Sequence, residues 1–465
     1  MTTASITMAD SDLAIPLEKG LPLIGCLPEM AKNPIDFFKR LVQKYPDCVE
    51  FSVPLTRLAL ITSAELSHQI LVKENSRFRK ADRDMKIMGS LLGTGLVTNN
   101  QHDSHKVQRK LVQPGFHFRR IEGYAQTMAD YSQRYLEDWG DSGTRDISDD
   151  MFRLTMYIVS KTLFDTDMED LSNDSNQIGL AIHEFQRIAD SRFNQVFQSP
   201  DWLPTPRNLK IKKIRAVLNE TMRTMISKRT DEQGNISERG DLLSMLLNAE
   251  YEDGSKMSEK QLLDELVTLF IAGHETTSNA LTWTFYLIAK HPEIQEKLHA
   301  ELDQVLDDSS PSFGDLDALT YTEMVIKESM RILPPVWTLN CRQANEEMVL
   351  GNYHIPKDKV FFIAPAANHF NPKYFKDPER FDPERFSAEN EKKLPRYAYI
   401  PFGGGPRVCI GNSFAMMEAK LILATFAQQY KISLDPAQTI DPQPQITLSN
   451  KGGMSVSYIK RKRAS

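Results

Sequence analysis

Phe402-Gly403-Gly404-Gly405-Pro406-Arg407-Val408-Cys409-Ile410-Gly411 is the stretch on which the fold turns. Its three glycines let the backbone take conformations closed to other residues and approach a flat ligand closely, while Pro406 fixes one torsion and removes a donor. A lone cysteine then stands at the entrance of an apolar helical run, Asn412 to Gln429. The first N–H groups of that helix would stabilise a thiolate and temper its electron donation, as expected around a metal-bound sulfur. Arg407, two residues earlier, adds positive charge. A plainer reading of the glycines is a turn before a helix, or a phosphate cradle beside a buried cysteine. The fixed spacing of aromatic, glycine, arginine, cysteine and glycine is much more specific than a GxGxxG and favours the presented sulfur.

Outward from the loop, Ile355 to Gly411 is rich in proline and glycine and is expected to surround a site, because long irregular stretches inside a compact domain are functional. From Pro34 to about Leu306 the pattern is mainly helical, with breaks at Pro114, Ser199-Pro200-Asp201 and Leu203-Pro204-Thr205-Pro206, the last a good helix start. Ser258 to Lys290 lacks proline and is apolar on almost every side, so it reads as one long buried helix near the centre. Strand signals are short: Val49 to Ser52, Leu58 to Ile61, Met348 to Ile355, Val360 to Ile363 and Met454 to Ile459. The expected class is mainly α with a small β subdomain.

The 465 residues allow about three domains by length. No repeat, low-complexity tract or long Gly/Ser linker separates them, so one continuous architecture fits better. With 41% hydrophobic and 25% charged residues the chain is globular. Its net charge of -6 has no long block of either sign and gives general nucleic-acid binding little support. Four cysteines without a CxxC pair argue against a disulfide framework or zinc ribbon and for a reducing compartment. Met1 to Gly20 is not a secretory signal. The apolar runs Leu262 to Ala272 and Leu281 to Ala289 are interrupted by polar residues, so membrane insertion is not expected.

With its spacing, the cysteine loop resembles the haem-thiolate loop of the cytochromes P450. The resemblance implies that Cys409 is the axial ligand of a haem b iron, with Phe402, Gly403, Arg407 and Gly411 around it, the haem lying between the long central helix and the helix after the loop. Ala272-Gly273-His274-Glu275-Thr276-Thr277 resembles the family's oxygen-activation motif. Mid-helix Gly273 costs about 1 kcal/mol relative to alanine, and Thr276, Thr277 and Ser278 can bond to preceding carbonyls and bend the helix, opening room for oxygen. In the implied roles Thr276 holds the activated oxygen and its water, and Glu275 shuttles protons from solvent. A Thr/Ser cluster is otherwise a polar packing feature. His274 is unassigned, a neutral packed histidine being favoured over a second ligand.

Glu328 and Arg331, alone, would be an ordinary helical ion pair. By the resemblance they lock to an arginine in Phe381-Asp382-Pro383-Glu384-Arg385-Phe386, a structural triad completed by Arg385. The duplicate Pro378-Glu379-Arg380-Phe381 leaves Arg380 as the other choice. His105 and Arg109 match propionate-binding positions, although Lys106 and Lys110 beside them also suit a charged amphipathic face. Arg342 and Arg407 match further propionate positions, with Ala272 lining the haem. The implied pocket walls are Met85 to Leu96, the segment around Arg192 to Phe197, Ala272, Pro335 to Leu339 and Leu448 to Met454. Trp337 there either narrows the pocket or packs on the sheet.

The resemblance runs from about Leu21 to Gly452-Gly453 and the closing strand. It implies a flexible tail, 1–20, and a single haem domain, 21–465, of a cytoplasmic, bacterial-type protein without a membrane anchor. The implied activity is insertion of one atom of O2 into a lipophilic substrate: a fatty acid, terpenoid or steroid. Fifty-six residues after Cys409 are too few for a reductase domain. Electrons are therefore expected from a ferredoxin or flavodoxin with its NAD(P)H reductase, docking on Lys106, Lys110, Arg119 and Arg120. A peroxygenase, isomerase or dehydratase on the same fold, or a non-enzymatic haem sensor, would not need the Glu275–Thr276 couple.

Overall fold

No proline interrupts the chain between Ser258 and Lys290, and the structure makes of it a single 32-residue helix, Glu259–Lys290. The Ser258 hydroxyl caps it by accepting the Gln261 N–H at 3.2 Å. Most of its residues are buried on every side, as its all-round apolar pattern requires. The computed structural model describes residues 14–462 apart from 168–171, 194, 196–198, 231–235, 238 and 436.

In chain order the elements begin β1 (Leu17–Glu18), α1 (Leu27–Lys32), α2 (Pro34–Lys44), β2 (Cys48–Val53), β3 (Thr56–Ile61), α3 (Ala64–His68), β4 (Phe78–Lys80) and α4 (Asp82–Leu92). Then come α5 (His102–Val112), α6 (Phe118–Leu136), β5 (Ser142–Asp146), α7 (Ile147–Phe164), α8 (Ser172–Phe193), α9 (Pro206–Ser227), α10 (Leu242–Asn248) and the long α11. They are followed by α12 (Pro292–Leu306), α13 (Thr320–Ile332), β6 (Arg342–Ala344), β7 (Met348–Leu350), β8 (Tyr353–Ile355), β9 (Val360–Ile363) and α14 (Pro365–Asn368). The chain closes with α15 (Ala388–Glu391), α16 (Asn412–Gln429), β10 (Tyr430–Leu434), β11 (Pro442–Pro444), β12 (Leu448–Asn450) and β13 (Ser455–Lys460). Helices dominate and the strands are short, as expected.

The chain divides into two units. The first comprises Met1–Met85, Val336–Arg380 and Lys392–Cys409. It holds a six-stranded sheet in the order β1-β2-β3-β9-β6-β4 and the β7–β8 hairpin. Ile61, Ile70, Phe78, Phe361 and Ile363 form part of its apolar core. Trp337 stacks on Phe38 of α2 with ring centroids 6.3 Å apart. Leu17 and Glu18 pair in parallel with β2, and buried Glu18 accepts from Arg40, Lys44 and Tyr45. Leu17 and Glu18 thus belong to the sheet; residues 1–13 lie outside those described.

The second unit comprises Lys86–Pro335, Phe381–Glu391 and Ile410–Ser465. Here α11 packs on α7 and α16 on α6. A β-carbon on Gly273 would stand 3.2 Å from Val159 of α7, and Thr155 Oγ1 donates to the His274 carbonyl at 3.1 Å. Gly273 therefore admits a neighbouring helix, and α11 continues through it as one helix. Strands β10-β13-β5 and β11-β12 form two small antiparallel sheets. Among the described residues no helix is long and apolar enough to cross a membrane.

Candidate active site

The cysteine loop is shaped by its backbone. Gly403 and Gly405 have φ of 71° and 65°, which side chains disfavour. A β-carbon on Gly405 would lie 1.8 Å from the Leu71 carbonyl oxygen, and one on Gly404 2.2 Å from the Tyr397 ring. The Cys409 N–H donates to the Phe402 carbonyl at 3.0 Å, closing the loop on its aromatic residue. Cys409 is exposed, whereas Cys26, Cys48 and Cys341 are buried. Burial pushes the Cys48 thiol up to about 12 and that of Cys341 well above its ordinary value, so both are inert neutral groups.

Behind the loop the same unit assembles cations. Lys80 of β4 pairs in register with Arg342 of β6, and both side chains are buried. Burial pulls the Lys80 ammonium well below its usual value, with Arg342 and Arg407 pulling the same way and Asp84 opposing. Burial likewise brings Arg342 down to about 10. The Asp84 carboxyl is itself pushed up by burial. Three clustered cations against one reluctant carboxylate suit an anion, and the two propionates of a haem fit such a donor set. Lys80 escaped sequence reasoning, yet the signal was present: in Phe78-Arg79-Lys80 strand alternation puts Lys80 on the face of buried Phe78, with Arg79 opposite.

The α11 motif lies in the other unit. Ala272 is exposed, and Thr276 and Asn279, at i+4 and i+7 on the same face, are half-buried, whereas His274, Glu275, Thr277, Ser278 and Ala280 are buried. Thr276 Oγ1 donates to the Ala272 carbonyl at 3.0 Å. Glu275 is largely buried: it is 4% exposed and accepts from Gln186 of α8 and from Thr447, just before β12. Burial pushes its carboxyl up to about 7, against the two donors. His274 is fully buried, its Nδ1 2.8 Å from the Phe270 carbonyl oxygen and its ring edge-on to Phe152. Burial lowers it to about 4, so it is the neutral packed histidine anticipated.

Arg331 grips Glu328 from Nε and Nη2 at 2.7 and 2.9 Å, both residues being fully buried. Arg385 Nε stands 3.3 Å from Glu328 Oε1, which also accepts the Asp382 N–H at 2.9 Å. On α5, His105 is buried and Arg109 half-buried, while Lys106 and Lys110 face solvent. Gly411 precedes α16, with Phe116 3.6 Å from where its β-carbon would be. Of the expected pocket walls, Ile87, Met88, Leu91, Leu92 and Leu96 are buried. Arg192 is a buried charge among them, ion-paired to Asp201 at 2.9 Å. Residues 194, 196 and 197 of that wall lie outside those described.

Comparison with known proteins identifies the family. The family model described as cytochrome P450 matches residues 15–455. Cyclooctatin synthase of Streptomyces melanosporofaciens is 35% identical, covering 92% of each chain. Cyclooctat-9-en-7-ol 5-monooxygenase of the same organism is 34% identical over 90% of each. Pentalenene oxygenase of Streptomyces avermitilis is 30% identical over 91% of this chain and 92% of its own. The match spans both units and every motif described above, and the chain belongs to the cytochrome P450 family of haem-thiolate monooxygenases.

Proposed function

We propose that this monooxygenase oxygenates a terpenoid-class lipophile at a haem b held by Cys409. The observation that carries the reading is the accessible face of Ala272 and Thr276 on buried α11, beside a carboxyl poised near neutrality. The names of the bacterial relatives, which act on cyclooctat-9-en-7-ol and pentalenene, supply the substrate class. Lys80, Arg342 and Arg407, with His105 and Arg109, would hold the propionates, and Phe402, Gly403, Gly411 and Ala272 would border the ring. When bound, the haem-thiolate iron supplies reductive dioxygen chemistry, with one oxygen atom going to substrate and the other to water. Thr276 offers a hydroxyl on the accessible face, and Glu275 holds the proton that the reaction consumes. Glu328, Arg331 and Arg385 keep the segment ahead of the cysteine loop in place.

Electrons come from a ferredoxin or flavodoxin. Lys110 already pairs with Glu252 at 2.8 Å and Arg120 donates to the Gly240 carbonyl, so exposed Lys106 and Arg119 are the more available docking charges.

The test is the spectrum of the reduced, carbon monoxide-bound protein, together with a library of terpenoids and fatty acids screened for low-to-high-spin shifts. Thiolate ligation gives the long-wavelength Soret band, which Cys409→Ala abolishes. A histidine-type band that survives the substitution overturns the assignment of the ligand. Spin shifts with fatty acids alone overturn the substrate class.

A further inference from the structure

We propose that Gln186 and Thr447 are positioning residues for Glu275, fixing which of its two carboxyl oxygens carries the transferable proton. The inference rests on the reading of Glu275 as the proton-holding group. Both contacts fall on one atom: Gln186 Nε2 and Thr447 Oγ1 each donate to Glu275 Oε1. Asn279, one turn along α11, donates from Nδ2 to Thr447 Oγ1 at 3.1 Å. The threonine oxygen is thereby used as an acceptor and its hydrogen is directed onto Glu275.

An amide NH2 can only donate, so the donors all run one way and converge on Oε1. An oxygen that accepts two hydrogen bonds is the carbonyl oxygen of a neutral acid, which leaves the proton on Oε2. Loss of that proton leaves a carboxylate whose charge the same two donors stabilise, and one proton regained from solvent restores the acid. Gln186 and Thr447 cannot themselves pass a proton inward without reversing the chain. They set the acid's orientation and strength, and Oε2 is the point of departure and return.

The surrounding elements add no charged partner that hydrogen-bonds Glu275 among the described residues. On α8, burial lowers the proton affinity of His183, against a hydrogen bond to Gln186. On α11, His274 turns its Nδ1 to the Phe270 carbonyl. On α16, buried Glu418 interacts with Thr277, and burial pushes its carboxyl well above the usual range. Glu275 is held up by burial and down by its two donors alone.

The experiment uses the holoenzyme. The infrared carboxylic C=O band of Glu275 is identified by its loss in Glu275→Gln and titrated with pH. Thr447→Val keeps the shape and removes a donor. It should raise the titration midpoint by about one pH unit, a tenfold change in proton affinity, and move the band to higher frequency. Gln186→Met should act in the same direction, and Thr447→Ser should restore the wild-type band. A band unmoved by both Thr447→Val and Gln186→Met, in protein whose Soret spectrum is native, overturns the proposal. Coupling of oxygen consumption to product is read separately. If Glu275→Gln leaves coupling intact while the band still shifts, the proton-holding role fails and the tether stands.

Discussion

Lys80 shows at the residue scale how a charge becomes readable only through its neighbours. A buried ammonium opposite Arg342 and near Arg407 raises the local potential and is tolerated when an anion lies against it. Lys80→Met keeps the length and apolar stem while deleting the charge. A charge-assisted hydrogen bond is worth about 1.5–3 kcal/mol, so haem transfer from the variant holoenzyme to a haem-scavenging apoprotein should quicken by roughly tenfold or more. The iron's reduction potential should also become more negative, because one fewer nearby cation favours the oxidised state. Transfer rate and potential both at wild-type values would remove Lys80 from the propionate set. The contrast with Cys409 is instructive. The cysteine was legible because glycine, arginine and spacing surround it in sequence, whereas the partners of Lys80 are hundreds of residues away.

At the scale of elements, the cysteine loop shows glycine required by contact as well as torsion. Gly405 combines a φ of 65° with a backbone carbonyl 1.8 Å from any added β-carbon, and a backbone atom cannot swing aside. Gly405→Ala should cost more than about 1 kcal/mol, seen as a lower thermal midpoint and a smaller haem-loaded fraction. Gly89, inside α4 with nothing near its missing β-carbon, is the opposite case. Gly89→Ala should raise the midpoint, because alanine is the better helix former by about 1 kcal/mol. Equal effects of the two substitutions would refute the steric argument. Elements with strong local signals were read from the chain almost to the residue: α11 begins one position after the expected Ser258, and α16 occupies Asn412–Gln429 as anticipated. Strand β5, Ser-Gly-Thr-Arg-Asp, was not, because it has no apolar alternation and exists by pairing with β13. The same limit hid Gln186 and Thr447, whose meeting with Glu275 is a tertiary event between α8, α11 and the turn before β12.

Across the whole molecule, stability should depend on pH through buried acids and histidines that pull in opposite directions. Burial pushes Glu265 and Glu275 from 4.5 up to about 7 and raises Glu418 well above its usual value. The folded state keeps these protons after the unfolded chain has released its own. Through Glu265 and Glu275 stability therefore falls as pH rises between about 4.5 and 7, by up to about 1.4 kcal/mol per group per pH unit, and Glu418 acts in the same direction. Burial lowers His274 and His299 from 6.5 to about 4. The unfolded chain takes up protons that these rings refuse, so their contribution is lost as pH falls through the same range. The two slopes oppose each other between about 4.5 and 6.5, and from there to about 7 Glu265 and Glu275 act without the histidines. Glu265 isolates the acid side, since it lies away from the α11 motif and accepts from Leu96 N–H at 2.8 Å and Gln261 at 3.0 Å. Glu265→Gln removes the titration at the expense of a fixed hydrogen-bond change. Its stability relative to wild type should climb by about 3 kcal/mol between pH 4.5 and 8, levelling off above about 7, whatever the offset at low pH. Unfolding of the two holoenzymes, followed by thermal midpoint across that range, should give a difference that grows with pH. A difference that stays constant would mean that Glu265 is ionised in the folded protein throughout, and that burial does not govern its charge.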